Sequence, residues 1–542
     1  MKSIKIGLFA ILLLMSQACE NILEEDVVSG VPIGYINTPA GFEDGVKAVY
    51  SSLRNFYATE RGMSLTVFGT DTYTMGSDGS FKFVNQYTSQ LDPRTSLLTE
   101  VWNEFYRAIN TANAVITRAD AVTGLDPTRK AIRVAETKFL RAHYYFVLVQ
   151  MFGQVHLTLT ENTGIVTEAK RTAIPEIYAA IIKDLEEALP ALEAKPIDWG
   201  RASKGAAEHL LAKVYLTKAT SEAAKPEDYT KAAEYAKNAI SKYGYRLLSD
   251  YARVFDQGGG EINDEVIFSV QYTNDPLTNG GGNNAHVFFL MEYDVQPGLQ
   301  RDVQNGRPFK RFRPTNYTLG LWDRTVDSRY EKSFKTVFLA NNEKTIPKDA
   351  AGKPKYVLGD TAIWLPGYEL TAAEIAAKRY QVITPSKYTP KLYPSLTKFL
   401  DPLRPDRTTF EGSRDFLAFR LSETHLIAAE ALFYAGKADE AVTFINTVRR
   451  RAAYPGKETA MEITPDKINL DFILDERARE LLGEQHRWFD LKRTKTLVDR
   501  VKKHNPDATA NIKDFHMLRP IPQDQIDRTA GGGSSFPQNA GY

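Results

Sequence analysis

The side chains best suited to catalysis do not form a recognisable catalytic pattern in this sequence. The 542 residues contain one cysteine, Cys19, and eight histidines without metal-ligand spacing. H-E-x-x-H, G-x-x-x-x-G-K-[ST] and G-x-S-x-G are absent, which argues against zinc-protease, P-loop and α/β-hydrolase chemistry. The 67 Asp and Glu residues could supply the carboxylate pair of a glycosidase, but that mechanism depends on a separation that sequence does not give. We therefore predict a protein that is not an enzyme and uses no cofactor or metal, with a glycoside hydrolase as the alternative.

Binding requires less than catalysis, namely one or two aromatic platforms and a few polar groups. The chain has 27 tyrosines and 28 phenylalanines, most of which are expected in the core. Its 68 Lys and Arg residues nearly balance the acidic residues and leave a formal charge of +1. This balance predicts no nucleic-acid partner.

The N-terminus has the pattern of a bacterial lipoprotein signal. Two lysines and an apolar run from Ile6 to Met15, too short to span a bilayer, precede Cys19. We predict a signal peptide over residues 1–18, a lipidated Cys19 as the first mature residue, and an N-terminal tether over 19–42. Ordinary cleavage after Ala18 is the alternative, but it leaves the lone thiol of an exported protein unexplained.

Most of the remaining chain has helical periodicity, and its helices come in pairs. The segments Leu211-Ala212-x-x-Tyr215 and Phe419 to Arg450 have tetratricopeptide character, and such pairs bury their apolar faces only when several stack. We predict a mainly α fold of about four tetratricopeptide-like helix pairs with an irregular, loop-rich inserted subdomain that contains short strands. The predicted helices before the insertion run at about Phe42–Tyr57, Leu97–Ala119, Lys130–Phe152, Ile174–Leu189, Ser203–Lys218 and Tyr229–Lys242.

The periodicity fades in the middle of the chain. Between Gly244 and Phe416 there are glycine clusters, scattered aromatic residues and one strand candidate, Glu265 to Val270. The predicted organisation is therefore a helical region over 43–243, an irregular subdomain over 244–415 and a C-terminal helical region over 416–542.

The stretch from Phe472 to Arg493, FILDERARELLGEQHRWFDLKR, is the most informative in the chain. Apolar residues at helical spacing alternate with charges of both signs, which predicts a helix up to Gly483, a short helix after it, and ion pairs three or four residues apart. This stretch and the closing segments, Leu518 to Gln523 and Gln538 to Tyr542, resemble the C-terminal signature of the SusD/RagB family of outer-membrane nutrient-binding lipoproteins. The earlier helix AETKFLRAHYYFVLVQMFGQVHL resembles another signature of that family.

The resemblance implies a lipid-anchored, surface-exposed protein of the outer membrane. It would capture an oligosaccharide and deliver it to a SusC-like TonB-dependent transporter. Binding of a peptide or another nutrient in the same kind of complex is one alternative, and a scaffold that contacts proteins alone is another. The family also implies that the ligand face lies where the polar loop from Phe68 to Arg94 meets the irregular subdomain.

Seven residues in these two regions are candidates for ligand binding because they carry aromatic rings or hydrogen-bonding groups. They are Asp71, Tyr73, Asn85, Tyr87, Tyr293, Trp322 and Trp364. Each has a structural alternative, which is turn formation for the Asp and Asn and packing for the rings.

The two tryptophans differ in context. Trp322 lies in a stretch that resembles a shared family segment, which favours packing, whereas Trp364 precedes Pro366-Gly367, which predicts a loop. Trp102, Trp488, His143 and His425 lie in apolar helical patterns and are predicted to be core residues.

Overall fold

The computed structural model describes residues 33–542. The predicted signal peptide and the predicted lipidation site, Cys19, lie outside these residues. The part of the predicted tether that is described is not extended, because Ile33–Asn37 forms a 3-10 turn and a helix begins at Pro39. The Thr38 hydroxyl caps this helix by accepting a hydrogen bond from the Gly41 amide at 3.0 Å. Pro39 suits the first turn, where its missing N–H is not needed.

Helices make up most of the regular structure. Those before the irregular middle region are α1 (Pro39–Ser51), α2 (Glu60–Thr66), α3 (Lys82–Gln86), α4 (Ser96–Arg118), α5 (Pro127–Phe152), α6 (Ile174–Ala188), α7 (Lys204–Lys218) and α8 (Asp228–Lys242). Those that follow are α9 (Ala285–Phe288), α10 (Asn316–Leu319), α11 (Arg329–Ser333), α12 (Ala372–Ala376), α13 (Leu421–Tyr434), α14 (Ala438–Ala452), α15 (Leu470–Glu480), α16 (Arg487–Arg493), α17 (Leu497–His504) and α18 (Gln523–Arg528).

The longest helices pack as pairs in one continuous row. Helix α1 contacts α4, α5 contacts α6, α7 contacts α8, and α13 contacts α14, while α8 also contacts α13 and so joins the two halves of the chain. Ala232, Ala236 and Ala239 of α8 are buried, and their small side chains allow the close approach of its neighbours. The predicted mainly α, tetratricopeptide-like fold is confirmed.

Helix limits agree with the sequence prediction to within a few residues except at the first helix. That helix ends at Ser51, and the chain continues as a 3-10 turn over Ser52–Asn55 instead of remaining helical to Tyr57. In the C-terminal stretch α15 ends at Glu480, and Gly483 then adopts a φ of 80°, which glycine tolerates best.

The middle region contains short strands. The described strands are β1 (Tyr73–Met75), β2 (Val266–Val270), β3 (Phe312–Pro314), β4 (Phe334–Lys335), β5 (Val337–Leu339), β6 (Thr361–Trp364), β7 (Gln381–Val382), β8 (Ser395–Leu396) and β9 (Phe416–Arg420). Strand β2 pairs with β9 antiparallel, so the irregular segment between them leaves and re-enters the helical stack at neighbouring positions. Strand β1 pairs with β3 antiparallel and joins the early loop to the same segment.

The irregular segment has its own small core. Tyr293, Phe338, Ile363 and Tyr393 belong to a buried apolar cluster that is separate from the large core of the helical stack. No helix in the described part of the chain combines the length and apolar character that a bilayer crossing requires.

The charges of the Phe472–Arg493 stretch are largely buried and pair mostly with distant residues. Arg479 pairs with Glu476 three residues away, as the spacing predicts. Glu480, in contrast, pairs with Arg420 at 2.6 Å and with Arg451 at 2.5 Å, both from other elements. The expectation of helix-local ion pairs therefore describes a minority of these contacts.

Candidate ligand-binding groove

The structure places six of the seven candidate residues in the interior. Asp71, Tyr73, Asn85, Tyr87, Tyr293 and Trp322 are all buried. A side chain without accessible surface cannot offer a ring face or a hydrogen bond to a ligand in this conformation. Other residues must therefore form a ligand surface.

Asp71 holds the early loop to the C-terminal region. Its carboxylate accepts hydrogen bonds from Arg487 at 2.7 and 2.6 Å and from Arg500 at 2.8 Å. Burial by itself would raise the pKa of the Asp71 carboxyl, but the two arginines outweigh burial and hold the pKa below its usual value.

Asn85 and Tyr87 have a similar structural role at the other end of the loop. Asn85 Oδ1 accepts from the Gly69 amide at 3.1 Å and from Asn505 Nδ2 at 2.9 Å. The Tyr87 hydroxyl donates to the Gly69 carbonyl at 2.7 Å. These bonds fix the backbone between β1 and the preceding helix α2.

The remaining buried candidates pack against other rings. The Tyr293 ring stacks on Phe338 with centroids 5.3 Å apart, and its hydroxyl donates to the Gly306 carbonyl. Trp322 lies edge-on to Phe334 at 5.9 Å. Both rings stabilise the irregular segment.

Trp364 is half-buried, so its ring keeps an accessible part. It is the last residue of β6 and not part of a loop, and it lies edge-on to Tyr368 at 6.2 Å, with Lys378 Nζ 5.7 Å from its centroid. It is not among the residues that line the groove described next, and its ligand role stays a prediction.

A surface groove of about 610 Å³ is lined by residues from three parts of the chain. They are residues between Ser51 and Arg61 together with the start of α4, the early-loop residue Phe81, and residues of the irregular segment between Leu277 and Asn284. This volume is within the range of small-molecule sites. At this concave surface one early-loop residue meets the irregular segment, and none of the seven candidate residues lines it.

Phe81 offers an accessible ring to the groove, while the nearby Asn284 is partly engaged in the chain itself. The Phe81 ring is half-buried and packs edge-on to Phe83 at 6.1 Å. The Asn284 amide nitrogen donates to the Gly281 carbonyl, and its Oδ1 is a buried acceptor without a partner in the described part of the chain. The sequence offers some indication that both residues lie in surface loops, since Phe81 is in the early polar interval and Asn284 follows the glycine cluster Gly280–Gly282.

The Phe81 segment is fixed by backbone bonds to the irregular region. The Gly76 amide donates to the Arg311 carbonyl at 2.9 Å, and the Ser77 amide donates to the Pro390 carbonyl at 2.9 Å. Arg311 Nη1 also lies 3.1 Å from the Asp78 carboxylate. The loop position therefore depends on contacts with the irregular region.

The carboxylates of the groove are paired with arginines. Glu60 lies 2.8 Å from Arg311 Nε, and Glu100 pairs with Arg61. Burial raises the pKa of the Glu60 carboxyl, although Arg311 lowers it in part. In residues 33–542 no group of three or more His, Cys, Asp or Glu side chains is arranged to hold a metal ion.

Sequence comparison assigns the chain to a family. The model described as "SusD family" matches residues 264–542, which is half of the chain. This chain belongs to the SusD family. A second model, described as "Starch-binding associating with outer membrane", matches residues 35–216 of the SusD-family chain.

Individual relatives span most of this SusD-family chain. "SusD-like protein P2" of Formosa agariphila is 26% identical, with both chains covered in full. "Starch-binding protein SusD" of Bacteroides thetaiotaomicron is 24% identical over 78% of this chain and 75% of its own.

Solved structures share the architecture. A SusD homolog from Bacteroides thetaiotaomicron has a TM-score of 0.71 at 21% identity, covering 94% of this chain and 98% of its own. A laminarin-binding SusD-like protein has a TM-score of 0.66 at 23% identity, covering 93% of this chain and all of its own. Surface glycan-binding protein A from Bacteroides thetaiotaomicron, in complex with laminarihexaose, has a TM-score of 0.66 at 21% identity, covering 93% and 99%. At these identities the similarity establishes the fold.

Proposed function

We propose that this protein binds an oligosaccharide in the groove at Phe81 and delivers it to a SusC-like TonB-dependent transporter. Family membership supports this function, as do a relative named as starch-binding and structural neighbours named for laminarin and laminarihexaose. The observation that carries the site is an accessible aromatic ring, Phe81, on a groove that is also lined by the half-buried polar side chain of Asn284.

The chemistry of the groove favours a neutral ligand. Two of its carboxylates, Glu60 and Glu100, already have arginine partners, so a charged ligand would have to compete with existing ion pairs. A sugar instead places an apolar ring face on an aromatic side chain and its hydroxyls on polar atoms. A peptide is the second ligand class that such a groove can accept.

We also propose that acyl chains on Cys19 hold the protein at the outer membrane, facing the outside, and that residues 244–415 select the ligand. Several acyl chains on one cysteine anchor a protein more firmly than one chain does. A Cys19→Ala variant should move from the membrane fraction to the soluble fraction. Co-purification of a TonB-dependent barrel from detergent-solubilised outer membranes tests the transporter partnership.

Hydrolysis is the alternative that one observation favours, namely the raised pKa of Glu60 in the groove. Glycosidases need one protonated and one ionised carboxyl group at a defined separation. Glu60 and Glu100 are each already paired with an arginine, Arg311 and Arg61, and we therefore propose binding without bond cleavage. Shorter products after long incubation with a polysaccharide would show that cleavage occurs.

Isothermal titration against laminari-oligosaccharides, malto-oligosaccharides and peptides tests the proposed site. Phe81→Ala should weaken binding of the preferred ligand at least about tenfold, equivalent to about 1.4 kcal/mol. Phe410→Ala, a ring that is 37% exposed and does not line the groove, is the control and should leave affinity unchanged. Equal affinity of the Phe81→Ala variant and the wild type would rule out this groove.

A further inference from the structure

A second accessible aromatic side chain, Trp199, lies near the groove in the loop between α6 and α7. Trp199 is half-buried, and its Nε1–H donates to the Asp415 carboxylate at 3.2 Å. Asp415 is itself buried and accepts from the Ser269 hydroxyl at 3.3 Å and from the Tyr272 amide at 3.0 Å. The hydrogen bond to Asp415 therefore fixes the orientation of the Trp199 indole.

Cavities occupy both sides of this loop. One of about 290 Å³ is lined by Trp199 with Tyr243 and Tyr245, and another of about 780 Å³ is lined by Trp199 with Tyr50 and Arg54. Residues 197–201 line both cavities. Because Trp199 is fixed by its hydrogen bond to Asp415 and lines both cavities, its ring is a preformed platform on which a ligand can stack.

The larger of these cavities adjoins the Phe81 groove. Ser51, Arg54 and Thr278 line both of them. Arg54 at this junction is immobilised, because Nε donates to the Gln271 carbonyl at 2.6 Å and Nη1 donates to the Thr278 carbonyl at 2.5 Å. Two aromatic platforms, Phe81 and Trp199, thus lie along one path on either side of a fixed guanidinium.

We propose that Trp199 forms a second sugar-binding subsite, so that the protein binds an extended oligosaccharide along the path from Phe81 past Arg54 to Trp199. This inference rests on the proposed function and specifies its ligand as a chain of several sugar units. Around Trp199 an apolar side chain, Ile197, is 95% exposed, and the polar residues Asp198 and Asn263 also line the smaller cavity. This mixture of an apolar surface and hydrogen-bonding groups matches the two kinds of face on a pyranose ring.

Titration with laminari- and malto-oligosaccharides of two to eight units tests the inference. Trp199→Ala should weaken binding of the longest chains at least about tenfold and leave the disaccharides unchanged, because short ligands occupy the Phe81 end. Trp199→Phe keeps a ring face and should retain most of the affinity. Phe81→Ala should weaken binding at every length.

Ile197→Glu is a second variant that avoids any effect of Trp199 on folding. Its side chain is exposed and lines both cavities, so the substitution should leave the melting temperature unchanged and weaken long-chain binding. If Trp199→Ala and Ile197→Glu bind every length like the wild type while Phe81→Ala does not, the second subsite is wrong and the proposed function stands.

Two other outcomes also overturn the inference. If the two Trp199-site variants keep their sugar affinities but lose the co-purifying barrel, the surface is a protein interface. If the wild type binds neither sugar series, the proposed function fails and the subsite fails with it.

Discussion

Asp71 and Arg487 form a forked ion pair in which Nε lies 2.7 Å from Oδ1 and Nη2 lies 2.6 Å from Oδ2. Both side chains are buried. The pair joins the early loop to the C-terminal signature across a separation of 416 residues. Asp71, which the sequence suggested for ligand contact, therefore fixes the early loop to the C-terminal region instead.

Asp71→Asn should lower the free energy of unfolding by about 3–5 kcal/mol, because Arg487 and Arg500 lose their buried counter-charge. Urea denaturation measures this loss. Asp471→Asn is the matched control, since Asp471 also pairs with Arg500, at 2.9 Å, but its side chain is 83% exposed. Its cost should be below about 1 kcal/mol, and equal costs for the two variants would contradict the structural role of Asp71.

Arg420→Met should be among the most destabilising single changes. The guanidinium pairs with Glu265 at 3.1 Å, and with Glu480 and Glu484 at 2.6 Å each, so its removal takes one counter-charge from each of three buried carboxylates. We expect a loss of roughly 3–5 kcal/mol by chemical denaturation. Lys237→Met removes the partially exposed pair with Glu440 and should cost less than about 1 kcal/mol. A stable Arg420→Met protein would show that the network does not hold the fold together.

Stability should fall as the pH falls below about 6.5, in part because of His143. Burial, with smaller contributions from the charges of Lys213 and His209, lowers the pKa of His143 to about 3. Between these two pH values the unfolded chain binds a proton that the folded chain does not, so each lower pH unit costs up to about 1.4 kcal/mol. His143→Gln, measured by urea denaturation from pH 7.5 to 5, should flatten this slope.

The control for that series is His504→Gln, at a histidine that is only half-buried. Burial also lowers the pKa of His504, but its side chain keeps more contact with water than that of His143, so the variant should change the slope less. A His143→Gln slope identical to that of the wild type would mean that His143 titrates normally in the folded protein.

Gly76→Ala should displace the Phe81 segment. A Cβ at residue 76 would lie 2.1 Å from the Lys310 carbonyl oxygen, so the loop and the irregular region would have to separate. We expect a destabilisation of about 1–3 kcal/mol together with weaker oligosaccharide binding. Gly164→Ala, where a Cβ would meet nothing within 4 Å, should change neither quantity. Wild-type affinity in the Gly76→Ala protein would show that binding does not depend on this loop position.

Local patterns predicted the helical framework well. The run from Lys130 to Phe152 predicted α5, observed as Pro127–Phe152, and Glu265 to Val270 predicted β2, observed as Val266–Val270. Trp102 and Trp488 are buried as predicted. These outcomes depend on apolar periodicity within a few turns of chain, which is present in the sequence itself.

The location of the groove could not be predicted in the same way. Asp71 and Tyr73 lie in a polar interval typical of a surface loop, but the structure buries both. Their burial depends on partners far along the chain, such as Arg487 for Asp71 and Phe289 for Tyr73. No local property of residues 68–94 specifies those partners.

The sequence by itself determined the helix pairs, the family and the short strand that begins the insertion, because each depends on spacing within one segment. Only the tertiary structure decided which polar residues are buried and which aromatic rings stay accessible. The physical reason is that a charge or a ring becomes a core residue or a surface residue according to what packs over it. Asp71 is buried and Phe81 stays accessible because of how segments hundreds of residues away pack around them.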